Sequence, residues 1–244
     1  MVRKLAYSVS EREHWISAAG GLLGILAVLW VSHLWLGSHG GVLAVASMGA
    51  SAVLLFAAPH GALSQPWPVF GGHLVSAAIG VFCARLLKAD PVLAASLAVA
   101  LSIAVMYGLR CLHPPGGATA LYAVMGGDAV HALGYGYILS PVLLNVLVIL
   151  TVAVVFNYPF HWRRYPQSWH RAAVDTAKRA DPLRAAEEKA MIPHSDLVYA
   201  LSQIDTFVDI SEEDLQRIYA LALQHHRPES AQASAAQLAA ESRS

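Results

Sequence analysis

The chain is 244 residues long, with 56% hydrophobic and only 13% charged residues. Soluble globular domains carry about 25% charged residues, so this composition excludes an ordinary water-soluble domain and points to a membrane protein. Sixteen Lys and Arg balance sixteen Asp and Glu, and a formal net charge of zero offers no basic surface for nucleic acid. The charges are also segregated: between Glu13 and Tyr158 only Arg85, Lys88, Asp90, Arg110 and Asp128 are charged.

Residues 1–14 form a polar N-terminal segment in which Ser10 and Glu13 have the spacing of a capping box opening a helix. Apolar runs follow at 15–36, 40–58, 69–87, 91–109, 118–125 (a short one) and 137–157. A span needs about 20 such residues, so four, five or six crossings fit. The run at 15–36 is too long for the apolar core of a signal peptide and reads as retained. The expected fold class is all-α, a polytopic transmembrane helix bundle. Small residues recur every fourth position at Gly20 and Gly24, at Gly72, Ser76, Gly80 and Ala84, and at Ser96, Ala100, Ala104 and Gly108. Such stripes let membrane helices approach closely.

The stretch His113-Pro114-Pro115-Gly116-Gly117-Ala118-Thr119 breaks the apolar pattern between two runs. Irregular backbone at membrane depth survives only where protein or a water-filled cavity satisfies it, and a histidine there marks a functional site. Pro114-Pro115 ends one helix and suits the start of another. A half-helix from Gly116 or Gly117 through Met125 is expected to aim unpaired amides and its positive dipole end at the motif, an anion site. Arg110 adds charge, His113 adds a hydrogen bond or charge, and Thr119 adds a hydroxyl. The competing account is a tight helix–helix turn in which His113 caps carbonyls and Arg110 snorkels to headgroups.

A shift of 55 residues lays Pro59–Gly72 over Pro114–Gly127 with Pro, Gly, Val and Gly-Gly in common. The chain therefore reads as two repeated helix–Pro/Gly loop–helix units, an architecture transporters use. The first unit contributes Ser47, Ser51, His60, Ser64 and Gln65 as polar lining, with His73 just beyond Gly72.

The 12 histidines show neither HxxxH nor HExxH spacing, so no metal and no cofactor are expected. No GxSxG, Walker loop or carboxylate pair supports an enzyme. Cys83 and Cys111 read as small packing residues. The acidic string at 205–214 lacks the Gly and Glu of a calcium loop. Placing Arg85 and Lys88 together with Arg163, Arg164 and Arg171 in the cytoplasm puts His60 and His113 near the opposite face. The side of the N-terminus stays open.

After the transmembrane domain at 15–165, residues 166–227 read as a cytoplasmic amphipathic helical domain, with helices at 168–190, 195–205 and 211–224. Residues 228–244 read as a disordered tail. The apolar stripes of the C-terminal helices need a partner, so a homo-oligomer is expected.

The strings His113–Ala120, Gly49–His60 and Gly71-Gly72-His73-Leu74 resemble the HPP family of integral membrane proteins, over about residues 15–165. The segment 194–226 is similar to the tail of some bacterial members. The resemblance implies four transmembrane helices and a transporter, since chloroplast relatives are associated with nitrite passage. A channel or secondary transporter for a small inorganic anion, nitrite-like, in a bacterial inner membrane is the resulting expectation. Its lining would be Arg110, His113, Pro114, Pro115, Gly116, Gly117, Thr119, Ser51, His60, Ser64 and His73. The alternative is a non-transporting scaffold or sensor acting through its C-terminal helices.

Overall fold

The 21 residues from Pro66 to Leu86 form one helix, about 31 Å long at 1.5 Å per residue and thus as long as a bilayer's hydrocarbon core is thick. The computed structural model describes residues 11–40, 45–160 and 162–169, together with Leu215 and Tyr219. In chain order the helices are α1 (Glu11–Gly40), α2 (Val45–Ala57), α3 (Pro66–Leu86), α4 (Pro91–Gly108), α5 (Pro114–Met125), α6 (Asp128–Leu133) and α7 (Leu144–Asn157). A 3₁₀ turn at Ala62–Ser64 precedes α3, and a π-helical segment at Ile138–Leu143 leads into α7. Among the described residues there is no strand, and four helical stretches are long and apolar enough to cross a membrane: Glu11–Trp35, Pro66–Leu86, Pro91–Gly108 and Ile138–Asn157. Helices α2 and α5, with 13 and 12 residues, are too short to cross alone.

Proline and glycine set these lengths. Pro66, Pro91 and Pro114 open α3, α4 and α5 at positions where the missing N–H costs nothing. Gly127, at φ 78°, takes the left-handed turn after α5 that a side chain would resist.

Helices α1, α2 and α7 pack together, as do α3, α4 and α5, and α2 meets α5 where the two sets join. Small residues make the close approaches. A methyl group on Gly20 or Gly24 would lie 2.5–2.6 Å from the Phe56 ring. One on Gly80 would lie 2.6 Å from the Ala120 carbonyl oxygen. The stripes on α1 and α3 are therefore packing faces. The stripe on α4 is not: Ser96, Ala100 and Ala104 are exposed, and Ala94, Ala98, Ser102 and Met106 form the buried edge instead. Both α4 sets keep the same spacing, so spacing alone could not choose between them.

The 55-residue repeat holds as an order of elements and fails as a register. In both units an apolar helix leads through a loop into another helix, α2 to α3 and α4 to α5. The shift would start the second helix at Leu121, the counterpart of Pro66, whereas α5 starts at Pro114.

The charge topology also changes. Glu13 pairs with Arg163, and the His60 imidazole reaches the Trp162 carbonyl, 2.7 Å away. The start of α1, the loop before α3 and the segment after α7 therefore share one end of the bundle. The Trp67 indole donates to the Leu109 carbonyl at 3.1 Å, which brings Arg110 to that end as well. Arg85 lies at the other end of α3, against Gly134. The two basic clusters thus occupy opposite ends, and His60 and His113 share the end of Arg163.

The chain divides into two units, residues 1–171 and 172–244. Of the C-terminal helices and tail expected beyond 168, Ser168, Trp169, Leu215 and Tyr219 are described, and all four are helical; the rest lies outside the described residues.

Candidate functional site

Ser51 on α2, His73 on α3, His113 just before α5 and Thr119 on α5 come together where the two helix sets meet, and none is more than 1% exposed. They form one continuous hydrogen-bonded chain. Ser51 Oγ lies 2.8 Å from Nε2 of His73 and 2.8 Å from Nε2 of His113. His73 Nδ1 lies 2.7 Å from Thr119 Oγ1, and His113 Nδ1 lies 2.8 Å from the Leu63 carbonyl oxygen. The two imidazole rings meet edge to face, with centroids 5.0 Å apart.

The Leu63 carbonyl can only accept, and this one contact orients the whole chain for neutral imidazoles. His113 must carry its proton on Nδ1 and donate it to Leu63. Its Nε2 is then an acceptor and takes the Ser51 hydroxyl hydrogen. Ser51 has one hydrogen, so its oxygen accepts from His73 Nε2–H. His73 Nδ1 in turn accepts from the Thr119 hydroxyl. Every donor and acceptor in the chain is matched without any fixed charge. Two further carbonyls offer hydroxyl sinks: Ser47 O at 3.2 Å from Ser51 Oγ and Pro115 O at 3.4 Å from Thr119 Oγ1. Tyr137, just before the π-helical segment, donates from its hydroxyl to the Thr119 carbonyl at 3.3 Å.

Local sequence explains the placement. Pro114-Pro115 holds His113 in extended backbone (φ −142°, ψ 102°) just before α5, so its ring turns into the bundle. Gly72 and Gly116 let α3 and α5 touch there. A methyl group on Gly72 would come within 2.6 Å of His113 Cβ, and one on Gly116 within 2.7 Å of the Gly72 carbonyl. Gly117 has no such neighbour closer than 3.9 Å.

The expected lining residues therefore separate into groups. Ser51, His73, His113 and Thr119 form the centre, while Pro114, Pro115, Gly116 and Gly117 build the start of α5. That start cannot act as the expected array of free amides. Proline has no N–H, two prolines fill its first two positions, and the Gly116 N–H is bonded to the His113 carbonyl at 2.8 Å. Arg110 is exposed in a left-handed turn (φ 53°), and among the described residues no hydrogen bond links it to His113. Ser64 caps the end of α2, its hydroxyl 3.0 and 2.8 Å from the Leu54 and Ala58 carbonyls. His60 donates to Trp162.

Ser64 and His60 belong to a strap that the sequence did not reveal. After α7 the chain returns across the loop before α3: Tyr165 donates to the Ser64 carbonyl at 2.7 Å, and the Gln167 N–H donates to Gln65 Oε1 at 3.1 Å. Arg163, 1% exposed, joins the Glu13 carboxylate, Asn157 Oδ1 and the Phe56 carbonyl. Burial lowers the Arg163 pKa, and the Glu13 charge acts against that shift. The strap thus clamps the loop that carries Leu63, whose carbonyl orients His113.

Among the described residues, no group of three or more His, Cys, Asp or Glu side chains could hold a metal ion. Fold and site together define a polytopic helical membrane protein with an uncharged polar centre. Residues 6–166 match the family model described as HPP, transmembrane region, and the chain belongs to that family. Two transmembrane proteins of Dictyostelium discoideum are similar to it. One is 35% identical over 158 residues, covering 64% of this chain and 50% of the relative. The other is 40% identical over 128 residues, covering 51% and 45%. The chain spans about half the length of these curated relatives. No solved structure matches it.

Proposed function

We propose that this protein is a membrane transporter or channel for a small inorganic anion of the nitrite type, with Ser51, His73, His113 and Thr119 as its working centre. The observation that carries this reading is the unbroken chain of four buried polar side chains. Polar groups inside a membrane bundle are costly unless they are paired, and two imidazoles with two hydroxyls exceed what packing requires. Among the described residues no Lys, Arg, Asp or Glu side chain bonds to the chain. An anion arriving there meets only neutral donors, so its charge is best balanced by a proton that travels with it. Imidazole is suited to that task, because its two ring nitrogens let it accept a proton on one side and donate one on the other. A proton bound at His73 Nδ1 would turn the Thr119 hydroxyl hydrogen to the Pro115 carbonyl, while Ser51 keeps its bond to His113 Nε2, leaving the chain ready to return the proton.

Purified protein in proteoliposomes tests this proposal. Nitrite uptake should follow an imposed inward proton gradient and exceed uptake at equal pH. Absence of flux for nitrite, nitrate, formate and chloride from folded protein would overturn it and favour a scaffold acting through the C-terminal unit. We propose in addition a bacterial inner membrane as its location, with residues beyond 166 in the cytoplasm.

A further inference from the structure

At the end of the bundle opposite His113, the last turn of α3, the start of α4, the end of α5 and α6 enclose a cavity of about 550 Å³. That volume lies in the range of ligand sites, about 300–1,000 Å³. Its walls are largely apolar, formed by residues such as Val81, Ala94 and Val124, and its polar groups are Arg85, Lys88 and His131. No carboxylate lines it. Asp90, the nearest acid in sequence to Lys88, turns its side chain to the Leu93 N–H at 2.9 Å and caps α4. Asp128, at the start of α6, is exposed and outside the lining.

Arg85 is held in place. Its guanidinium lies 5.0 Å from the centre of the Tyr135 ring, and Gly134, at φ 50°, leaves the space it fills. His131 lines the cavity too, with its Nε2–H donated to the Val124 carbonyl at 2.8 Å. Among the described residues neither Arg85 nor Lys88 forms an ion pair. Two uncompensated cations at the mouth of a low-dielectric funnel concentrate anions.

Ala94 and Val124 also belong to a packed cluster with Cys83, Ala98 and Ala120, a neck of mostly small side chains between α3, α4 and α5. One turn beyond Ala98 on α4 lies Ser102, fully buried, with an Oγ that has no hydrogen-bond partner. A buried, unpaired hydroxyl costs about 1–3 kcal/mol, so it marks a place where a polar visitor would be welcome.

We propose that the cavity is an anion vestibule, a binding site for a small inorganic oxyanion held by Arg85 and Lys88 before it passes the alanine neck toward Ser102. Its role in uptake rests on the transport function proposed above; its capacity to bind an anion does not. The neck admits only small ions, and the cations select their sign.

The two parts separate in one set of measurements. In a background with Cys83 and Cys111 replaced by Ala, Ala94→Cys places a thiol in the cavity wall. Methanethiosulfonates bearing a sulfonate or an ammonium group are applied, and each rate is divided by that with a free thiol. The sulfonate reagent should be favoured about tenfold or more, and sodium nitrite at constant ionic strength should slow it. Arg85→Gln with Lys88→Gln should abolish both effects, and Lys88→Gln alone, at an exposed position, should reduce them. Equal normalised rates, or an unchanged preference in the double variant, would overturn the vestibule. So would protection by phosphatidylglycerol in the bilayer without protection by nitrite, which would make the cavity a lipid site. Preference and nitrite protection without flux would leave the binding site standing and remove the transport function.

Discussion

His113 donates from Nδ1 to the Leu63 carbonyl at 2.8 Å, and that bond sets the direction of every hydrogen from Thr119 to His113. Because the carbonyl cannot donate, neutral His113 is held as the Nδ1–H tautomer and His73 as the Nε2–H tautomer. Nitrogen-15 spectra of histidine-labelled protein near neutral pH should show these opposite tautomers at the two sites. Ser51→Ala should release both Nε2 atoms, cost about 1–3 kcal/mol per orphaned group and abolish the fixed His73 tautomer. Identical tautomers in the intact protein would contradict the chain as described.

Gly116 and Gly117 are adjacent and chemically identical, yet their environments differ. A methyl group at Gly116 meets the Gly72 carbonyl at 2.7 Å and Ser76 Oγ at 2.9 Å, whereas at Gly117 the nearest atom is Val99 Cγ1 at 3.9 Å. Gly116→Ala should therefore force α3 and α5 apart, costing about 1–3 kcal/mol. Gly117→Ala, at ordinary contact distance, should be neutral or slightly stabilising through helix propensity. Thermal unfolding of the two variants in the same detergent checks the difference. Equal losses would mean that the α3–α5 contact does not depend on Gly116.

Tyr165 supplies a pH dependence outside the spans. Burial raises its phenol pKa above the ordinary value near 10, and its hydroxyl donates to the Ser64 carbonyl. A group whose pKa is raised on folding contributes stability that is complete below the unfolded value and is lost as pH rises toward the folded one. The protein should therefore lose stability above about pH 10, as the unfolded phenol ionises and the folded one cannot. Tyr165→Phe should be less stable at neutral pH by about 0.5–1.5 kcal/mol, the net value of one hydrogen bond, and its alkaline loss should be shallower. An identical alkaline slope in the variant would assign the loss to other groups.

The membrane class and the helix break at Pro114 were legible because apolar composition and proline geometry are local properties; the number of crossings was not, since run length left four, five or six open and the run at 40–58 yields only the 13-residue α2. Ser51, His73, His113 and Thr119 were legible as polar residues in apolar surroundings, where their cost demands partners. Their mutual bonds were not, since Leu63 acts through its carbonyl and a leucine side chain announces nothing. The helix-start expectation erred on a point the sequence does contain: Pro114 and Pro115 carry no N–H, so a dipole end without donors was taken for an anion site. Arg163 misled because an arginine after a span looks like a headgroup anchor until Glu13 and Asn157 are folded beside it.

The positions of Arg163 and Arg85 at opposite ends of the bundle revise the expected membrane orientation and make it measurable. Arg12, Arg110, Arg163 and Arg164 lie at the end that also holds His60 and Leu63, while Arg85 and Lys88 lie at the other. Positive residues favour the cytoplasm, so four against two predicts the His60 end inside. Both the start of α1 and the segment after α7 then face the cytoplasm, and the cavity at Arg85 opens on the far side. Lys88→Cys and Arg164→Cys, both at exposed positions, are introduced singly with the buried Cys83 and Cys111 replaced by Ala. In intact cells a membrane-impermeant maleimide should label the cysteine at 88 and spare the one at 164, and inverted vesicles should reverse the pattern. Labelling of both from the same side would be incompatible with the two positions lying at opposite ends of the bundle.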